Sequence, residues 1–239
     1  TAYQLLDQAF ENINQKNLRP KGILKISVSK GFGQDYILPA LSCFLEQYPD
    51  VVPDLNFDNR QVNFVKEGFD VAIGAGIQMN STLIARPLIP MHIIAVASPN
   101  FLKKQPLIRH PSELQHLDNV VMRSAQTGKV KKWVLQKDDG NSFETNQSVK
   151  MLLDDTQSMR EAVLQGFGIA LLATHDVASY LDAKKLVRIL PEWYADMGYG
   201  YIYYSSQNNM HLKTRVFIDY LMDYFQQQKY FEKLSQKNF

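Results

Sequence analysis

Two stretches of this 239-residue chain share a pattern that few architectures can satisfy. VKEGFDVAI at 65–73 and VLQGFGIAL at 163–171 match at Val, Gly, Phe and Ala, and each closes a helix on Gly-Phe before running into an apolar strand. A helix that passes directly into a buried strand is the joint of an α/β unit, in which helix and strand cover one another's apolar sides. Two such joints predict two similarly built α/β lobes.

The surrounding sequence keeps that rhythm. After Gly22, ILKISVS alternates like a strand and runs into the loop Lys30-Gly31-Phe32-Gly33; a helix over 36–48 follows, with Ile37, Leu38, Leu41, Phe44, Leu45 and Tyr48 on one face. A strand at 54–57, a helix at 61–67 and a strand at 70–73 come next, and such alternation favours parallel βαβ units. In the second half a strand at 120–122 precedes a hairpin signal, Asp139-Gly140, between Trp133-Val134 and Phe143. A strand at 149–153 then leads through Asp154-Asp155-Thr156 into a helix ending at Gly166, with a strand at 169–172 beyond it. On that helix Met159, Ala162, Val163 and Gly166 form the inward stripe and Leu164 lies off it. No long Pro-, Gly- or Ser-rich linker separates the halves, so the lobes are expected to share connecting strands near 96–98 and 203–205, a geometry suited to hinge closure. Residues 2–17 carry Leu5, Leu6, Ala9, Phe10 and Ile13 as a one-sided helical stripe, either a dimerising linker or an ordinary terminal helix.

Composition removes several function classes. With 26 Lys and Arg against 24 Asp and Glu the net charge is +2, so no bulk positive field marks a nucleic-acid binder. The single Cys43 makes no internal disulfide and points to a reducing compartment, the cytoplasm. No stretch approaches the roughly 18 apolar residues of a spanning helix. No Gly-x-Ser-x-Gly turn occurs, Cys43 sits in a helix as a packed or interface residue, and the five histidines never fall in an HExxH arrangement. Catalytic, metal and cofactor sites are therefore not expected. Gly128-Lys129 resembles the end of a phosphate loop, but Arg123 stands where its first glycine belongs and no Ser or Thr follows. Gly31-Phe32-Gly33 lacks the third glycine of a dinucleotide loop and indicates anion or polar-ligand contact at a helix start.

With these landmarks placed, the chain resembles the effector-binding domain of LysR-type transcriptional regulators from about residue 18 to 225. The opening LRPKGILKISVSKGFGQDYILPALSCFLEQYPDV, then VKEGFDVAIGAG, LIARPL, AVASPNFL and HPSELQHLDNVVMR follow the family's order of motifs, and MREAVLQGFGIALLATHDVASYLDAKKLVRILPEW is the strongest match. The resemblance implies an α/β, two-lobed periplasmic-binding-protein-like (type 2) fold with central mixed sheets and an effector cleft between the lobes. It implies residues 1–19 as the end of a linker helix, 20–97 with 205–230 as one lobe and 98–204 as the other, with the family's winged helix-turn-helix absent from this chain.

Carried over position by position, it implies ligand contacts at Ser29, Lys30, Asp58 and Asn59 in the first lobe, and at Ser98, Arg123, Thr127, Asp155 and Thr156 in the second. Ser29, Ser98 and Thr156 are equally readable as helix caps. The expected partners are a small-molecule effector, with a lean toward a carboxylate; a second copy of the chain, as a dimer and, at full length, a tetramer; and promoter DNA through the missing domain. Dimer contacts are expected at Ala40, Cys43 and Leu164. Two departures from the family pattern are Gly74, where many relatives carry Arg, and Ala173-Thr174, where many carry Pro; Thr174 is then a candidate N-cap. The alternative is a solute-binding protein of an uptake system, which would need export.

Overall fold

The computed structural model describes residues 19–57, 67–75, 83–124, 127–205 and 210–239. Among them run the strands β1 (Gly22–Val28), β2 (Val51–Phe57), β3 (Val71–Gly74), β4 (Leu83–Ala97), β5 (Asn119–Met122), β6 (Val134–Gln136), β7 (Ser142–Glu144), β8 (Val149–Leu153), β9 (Ala170–Ala173), β10 (Val187–Ile189) and β11 (Ala195–Ser205). Two compact units form: the chain up to Pro87 with Tyr201–Gln228, and Leu88–Gly200 with Lys229–Phe239. The chain thus changes unit inside β4 and inside β11, rather than at 97/98 and 204/205, and returns to the second unit at Lys229.

In the first unit β1 pairs in parallel with β2 on one side and β3 on the other, and β11 closes antiparallel on β3. Alternation holds over the first part of β1, where Leu24, Ile26 and Val28 are buried and Ile23 and Lys25 exposed, and fails at Ser27, which is buried too. Phe44 meets Phe217 of the helix Leu212–Gln227 edge to face at 5.4 Å. Asp70, from the Glu-Gly-Phe-Asp motif, ties strand to helix: its carboxylate accepts from the Lys25 N–H at 2.9 Å, from Lys213 at 3.0 Å and from the Thr214 hydroxyl at 3.2 Å.

The helix after β1 begins six residues sooner than its apolar pattern predicts. Lys30–Phe32 is already helical, Gly33–Ile37 is a π-helical stretch, and Leu38–Gln47 continues as α-helix, so Gly31-Phe32-Gly33 is helix and not loop. Glycine serves close approach here, since a Cβ on Gly33 would lie 2.4 Å from the Phe57 ring. The wider π turn holds extra chain before the regular α-helix begins. Ile37, Ala40, Leu41 and Phe44, spaced i, i+3, i+4 and i+7, face the core and Leu38 is 45% exposed. Ala40 has no exposed surface, which corrects its placement at a dimer contact; Cys43 is exposed.

In the second unit β4 lies between β9 and β10, antiparallel to both, and is buried on its two faces. Ile93, Ala95 and Ala97 join Leu171, Ala173, Trp133 and Trp193 on one side; Ile94 and Val96 join Ala170, Leu172, Met159 and Val163 on the other. β5 pairs in parallel with β8 and is bridged to β9 at Asn119 and Ile169. The expected hairpin forms as β6 and β7, with Gly140 at φ +88°.

The Pro-x-x-Leu turn is a 3₁₀ helix, Pro111–His116, capped by His110 and Glu113, and the N–H groups of Arg109 and His110 hold the Glu113 carboxyl below its ordinary range. The helix Thr156–Leu164 buries Met159, Ala162 and Val163, with Gly166 past its end at φ +83°; Leu164 is half-buried and packs against the margin of this core rather than standing free of it. Thr174 does not cap: Ala173 holds the N-cap position, and the buried Thr174 hydroxyl donates to the Leu234 carbonyl at 2.6 Å.

Candidate functional site

Parallel strands end on a common edge, and loops leaving that edge collect polar side chains and helix N–H groups. In the first unit the carboxyl end of β1 delivers Ser29 and Lys30. Ser29 sits at the N-cap position, with φ −63° and ψ 147°, yet its hydroxyl makes no capping bond; it is half-buried, whereas Lys30 is exposed. The oxygen of Ser29 is therefore not consumed by the helix, which separates it from an ordinary cap. Asp58 and Asn59 follow β2 and lie outside the described residues.

In the second unit β5 and β8 bring Arg123 together with the Asp154-Asp155-Thr156 turn. Met122 and Leu153 are register partners, so the residues that follow them meet: Arg123 pairs with Asp154 at 3.3 Å, and its N–H donates to the Leu153 carbonyl at 2.7 Å. Asp154 was within reach of sequence reasoning, because parallel pairing of the strands at 120–122 and 149–153 places the next residue of each side by side. Asp155, not Thr156, is the N-cap: its Oδ2 accepts from the Ser158 N–H at 2.7 Å and the Ser158 hydroxyl at 2.8 Å. Thr156 is the first helical residue and half-buried. Thr127 lies on the exposed turn between Arg123 and Val130, which bridge each other, and its N–H donates to Ser124 Oγ at 3.3 Å. Beside that turn the Lys131 ammonium lies 4.0 Å over the Trp133 ring, a contact that no spacing rule in the sequence marks.

Ser98 does not join this group. β4 runs opposite to β9, and β9 is bridged in parallel to β5, so the carboxyl end of β4 lies where β5 begins. A Cβ on Gly166 would lie 3.5 Å from Ser98 Oγ, which puts Ser98 at the far end of the helix that Asp155 caps, about 13 Å along its axis at 1.5 Å per residue. Ser98 is 3% exposed, and its oxygen accepts from the Phe101 N–H at 3.4 Å. It is a cap. The edge in the second unit thus offers one guanidinium matched by Asp154, one carboxylate committed to Ser158 and two hydroxyls, a set suited to polar groups and, among the described residues, without a nucleophile–base pair. Among the described residues no three His, Cys, Asp or Glu are grouped to hold a metal ion, and no helix is long and apolar enough to cross a membrane.

The model of the LysR substrate binding domain matches residues 18–226. The chain belongs to that family. Among curated proteins, the LysR chain is 31% identical to the HTH-type transcriptional activator TtdR of Escherichia coli K12 over 232 residues, covering 95% of this chain and 71% of that one. It is 29% identical to the uncharacterized HTH-type transcriptional regulator YcaN of the same strain, covering 92% of this chain and 74% of that one. Among solved structures, the regulatory domain of AphB from Vibrio vulnificus superposes with a TM-score of 0.73 at 27% identity, over 87% of this chain and all of that one. The fold is the LysR regulatory-domain fold, with its two-lobed type 2 architecture, and the chain is a LysR effector-binding domain; these relatives are transcriptional regulators, not uptake receptors.

Proposed function

We propose that this LysR domain senses a small polar molecule through the carboxyl edges of its parallel strands, and that the molecule carries a carboxylate received in the first unit. The observation that carries this reading is Ser29: a half-buried hydroxyl at the mouth of a helix, left unused by the cap it is placed to make, beside Lys30. Helix N–H groups and an ammonium at one edge favour an anionic group. In the second unit Arg123 is matched by Asp154, so Thr156 and Thr127 are the better candidates for neutral hydrogen bonds. The domain acts as a regulator and not an enzyme, in the cytoplasm, passing effector occupancy to promoter DNA through a helix-turn-helix domain of the kind its relatives are named for. Self-association uses the exposed side of the helix Leu38–Gln47 around Cys43 and the outer side of the helix Thr156–Leu164 around Leu164, as an isologous pairing.

Calorimetry with an effector found by screening tests the site. Ser29→Ala and Thr156→Ala should each lose one ligand hydrogen bond, about 1 kcal/mol to a neutral group or about 1.5–3 kcal/mol to a charged one. Unchanged affinity in both variants removes these residues from the site.

A further inference from the structure

We propose that the second unit carries another small-molecule site, an open cavity lined by β4, β11 and the segment from Phe231 to Asn238, which takes an organic cation bearing a flat ring. The cavity measures about 440 Å³, within the roughly 300–1,000 Å³ of small-molecule sites. His92 enters from β4, Asp196 and Tyr199 from β11, and Phe231, Glu232 and Lys237 from the C-terminal segment.

Three features select the occupant. Tyr199 and Phe231 stack on each other with centroids 5.8 Å apart at 26°, yet remain 41% and 47% exposed, a flat aromatic wall still facing water. Asp196 and Glu232 add two carboxylates, neither in an ion pair among the described residues; Lys237 is the cation of the lining, and it pairs with Asp138 at 3.8 Å. The lining therefore carries one negative charge in excess beside an aromatic face, the combination that attracts an organic cation. His92 does not offset that charge. Its Nδ1 accepts from the Gln236 N–H at 3.0 Å, which fixes the neutral tautomer with its proton on Nε2. Burial, helped by Arg188 and Lys237 and opposed by Asp196, holds its pKa below the ordinary histidine value.

The C-terminal wall is fixed in place. Leu234 and Gln236 are buried; the Leu234 carbonyl accepts from Thr174, and the Gln236 carbonyl accepts from Arg188 Nη1 at 2.6 Å. Residues 231–238 lie past residue 226, where the LysR match stops. The site stands apart from the effector reading and is testable without an effector.

The test uses three probes with one ring and different heads, phenethylammonium, 2-phenylethanol and phenylacetate, titrated at millimolar concentration into the intact chain and followed by NMR at the His92 ring and the Gln236 amide. The expected order of affinity is ammonium, then alcohol, then carboxylate. Phe231→Ala, and the pair Asp196→Asn with Glu232→Gln, should each weaken the ammonium probe roughly five- to tenfold, the scale of one cation–π contact or one exposed charge pair. Because the charge variants leave the aromatic wall and the anchors of the C-terminal segment untouched, they read the site even if Phe231→Ala loosens that segment. Absence of binding, equal or tighter binding of phenylacetate, or undiminished ammonium binding in both sets of variants overturns the proposal.

Discussion

Replacing Gly168 with alanine should damage the second unit more than any other glycine change at a positive φ among the described residues. Gly168 sits at φ +156°, and a Cβ there would lie 2.4 Å from the Asp118 carbonyl oxygen and 2.8 Å from its carbon. Both obstacles are backbone, so no side-chain rotation relieves the overlap. The same stretch stitches β9 to β5, through the Ile169 N–H to the Asp118 carbonyl at 2.9 Å and the Val120 N–H to the Ile169 carbonyl at 2.8 Å. Strain of about 1–3 kcal/mol for an L-residue in this region, together with about 1 kcal/mol for each weakened backbone bond, gives a loss of about 3–5 kcal/mol. For a chain of this size each kcal/mol moves the midpoint by about 2–4 °C, so the second unit should melt about 6–20 °C lower.

Gly140→Ala is the internal control. It also sits at positive φ, +88°, but a Cβ there meets nothing within 4 Å, so only the left-handed penalty of about 1–2 kcal/mol applies. Urea and thermal unfolding followed by circular dichroism measure both variants. A Gly168→Ala loss no larger than that of Gly140→Ala refutes the assignment of this glycine to close backbone approach.

Other outcomes are equally specific. The lowered pKa of His92 means that the unfolded chain takes up a proton first as pH falls, so its contribution is intact above about pH 6.5 and is lost progressively below that value. The protection factor of the Gln236 amide, which is exchange relative to its intrinsic rate at each pH, should fall over the same range, and His92→Gln, whose amide oxygen can accept the same N–H, should flatten the dependence; an unchanged slope contradicts the tautomer. Cys43→Arg should shift sedimentation toward monomer without lowering the unfolding midpoint, and is a cleaner probe of self-association than Leu164→Asp because Leu164 also packs on its own core. At a net charge of +2 the chain by itself should show no discrimination between operator and random DNA at physiological salt; a salt-resistant preference would contradict the assignment of DNA reading to another domain.

Much of the fold was legible because period-two and helical patterns survive wherever one face is buried. β1, β3, β8, the β6–β7 hairpin and the Gly166–Gly168 joint lie within a residue or two of where alternation and turn chemistry put them. The errors share a cause, namely contacts between segments distant in sequence. Gly31 and Gly33 read as loop because glycine is a turn former, whereas Gly33 is there to let Phe57 approach. Ala40 is the exception, since the spacing i, i+3, i+4 and i+7 of Ile37, Ala40, Leu41 and Phe44 already puts it on the inward face.

At the site, strand order decided the outcome. Ser98 and Thr156 each stand next to a strand end, and only the antiparallel pairing of β4 with β9 shows that those ends are opposite. Thr174 looked like a cap because it opens a helix, but its hydroxyl is taken by Leu234, sixty residues on. The cavity against the C-terminal segment left no sequence signal, since its walls come from three separated segments.

Effector binding at the strand ends of this LysR domain is tested most directly by a thermal-shift screen of the intact chain. Across a panel of small carboxylates, sugars, amines and aromatics, a cognate effector at a hundredfold excess over its Kd should add about 2.7 kcal/mol to the unfolding free energy, a rise of about 5–11 °C at 2–4 °C per kcal/mol. Carboxylates should lead the panel, and Ser29→Ala should cut the rise. A panel in which nothing moves the midpoint, or a hit whose shift is the same in Ser29→Ala and Thr156→Ala, contradicts the account.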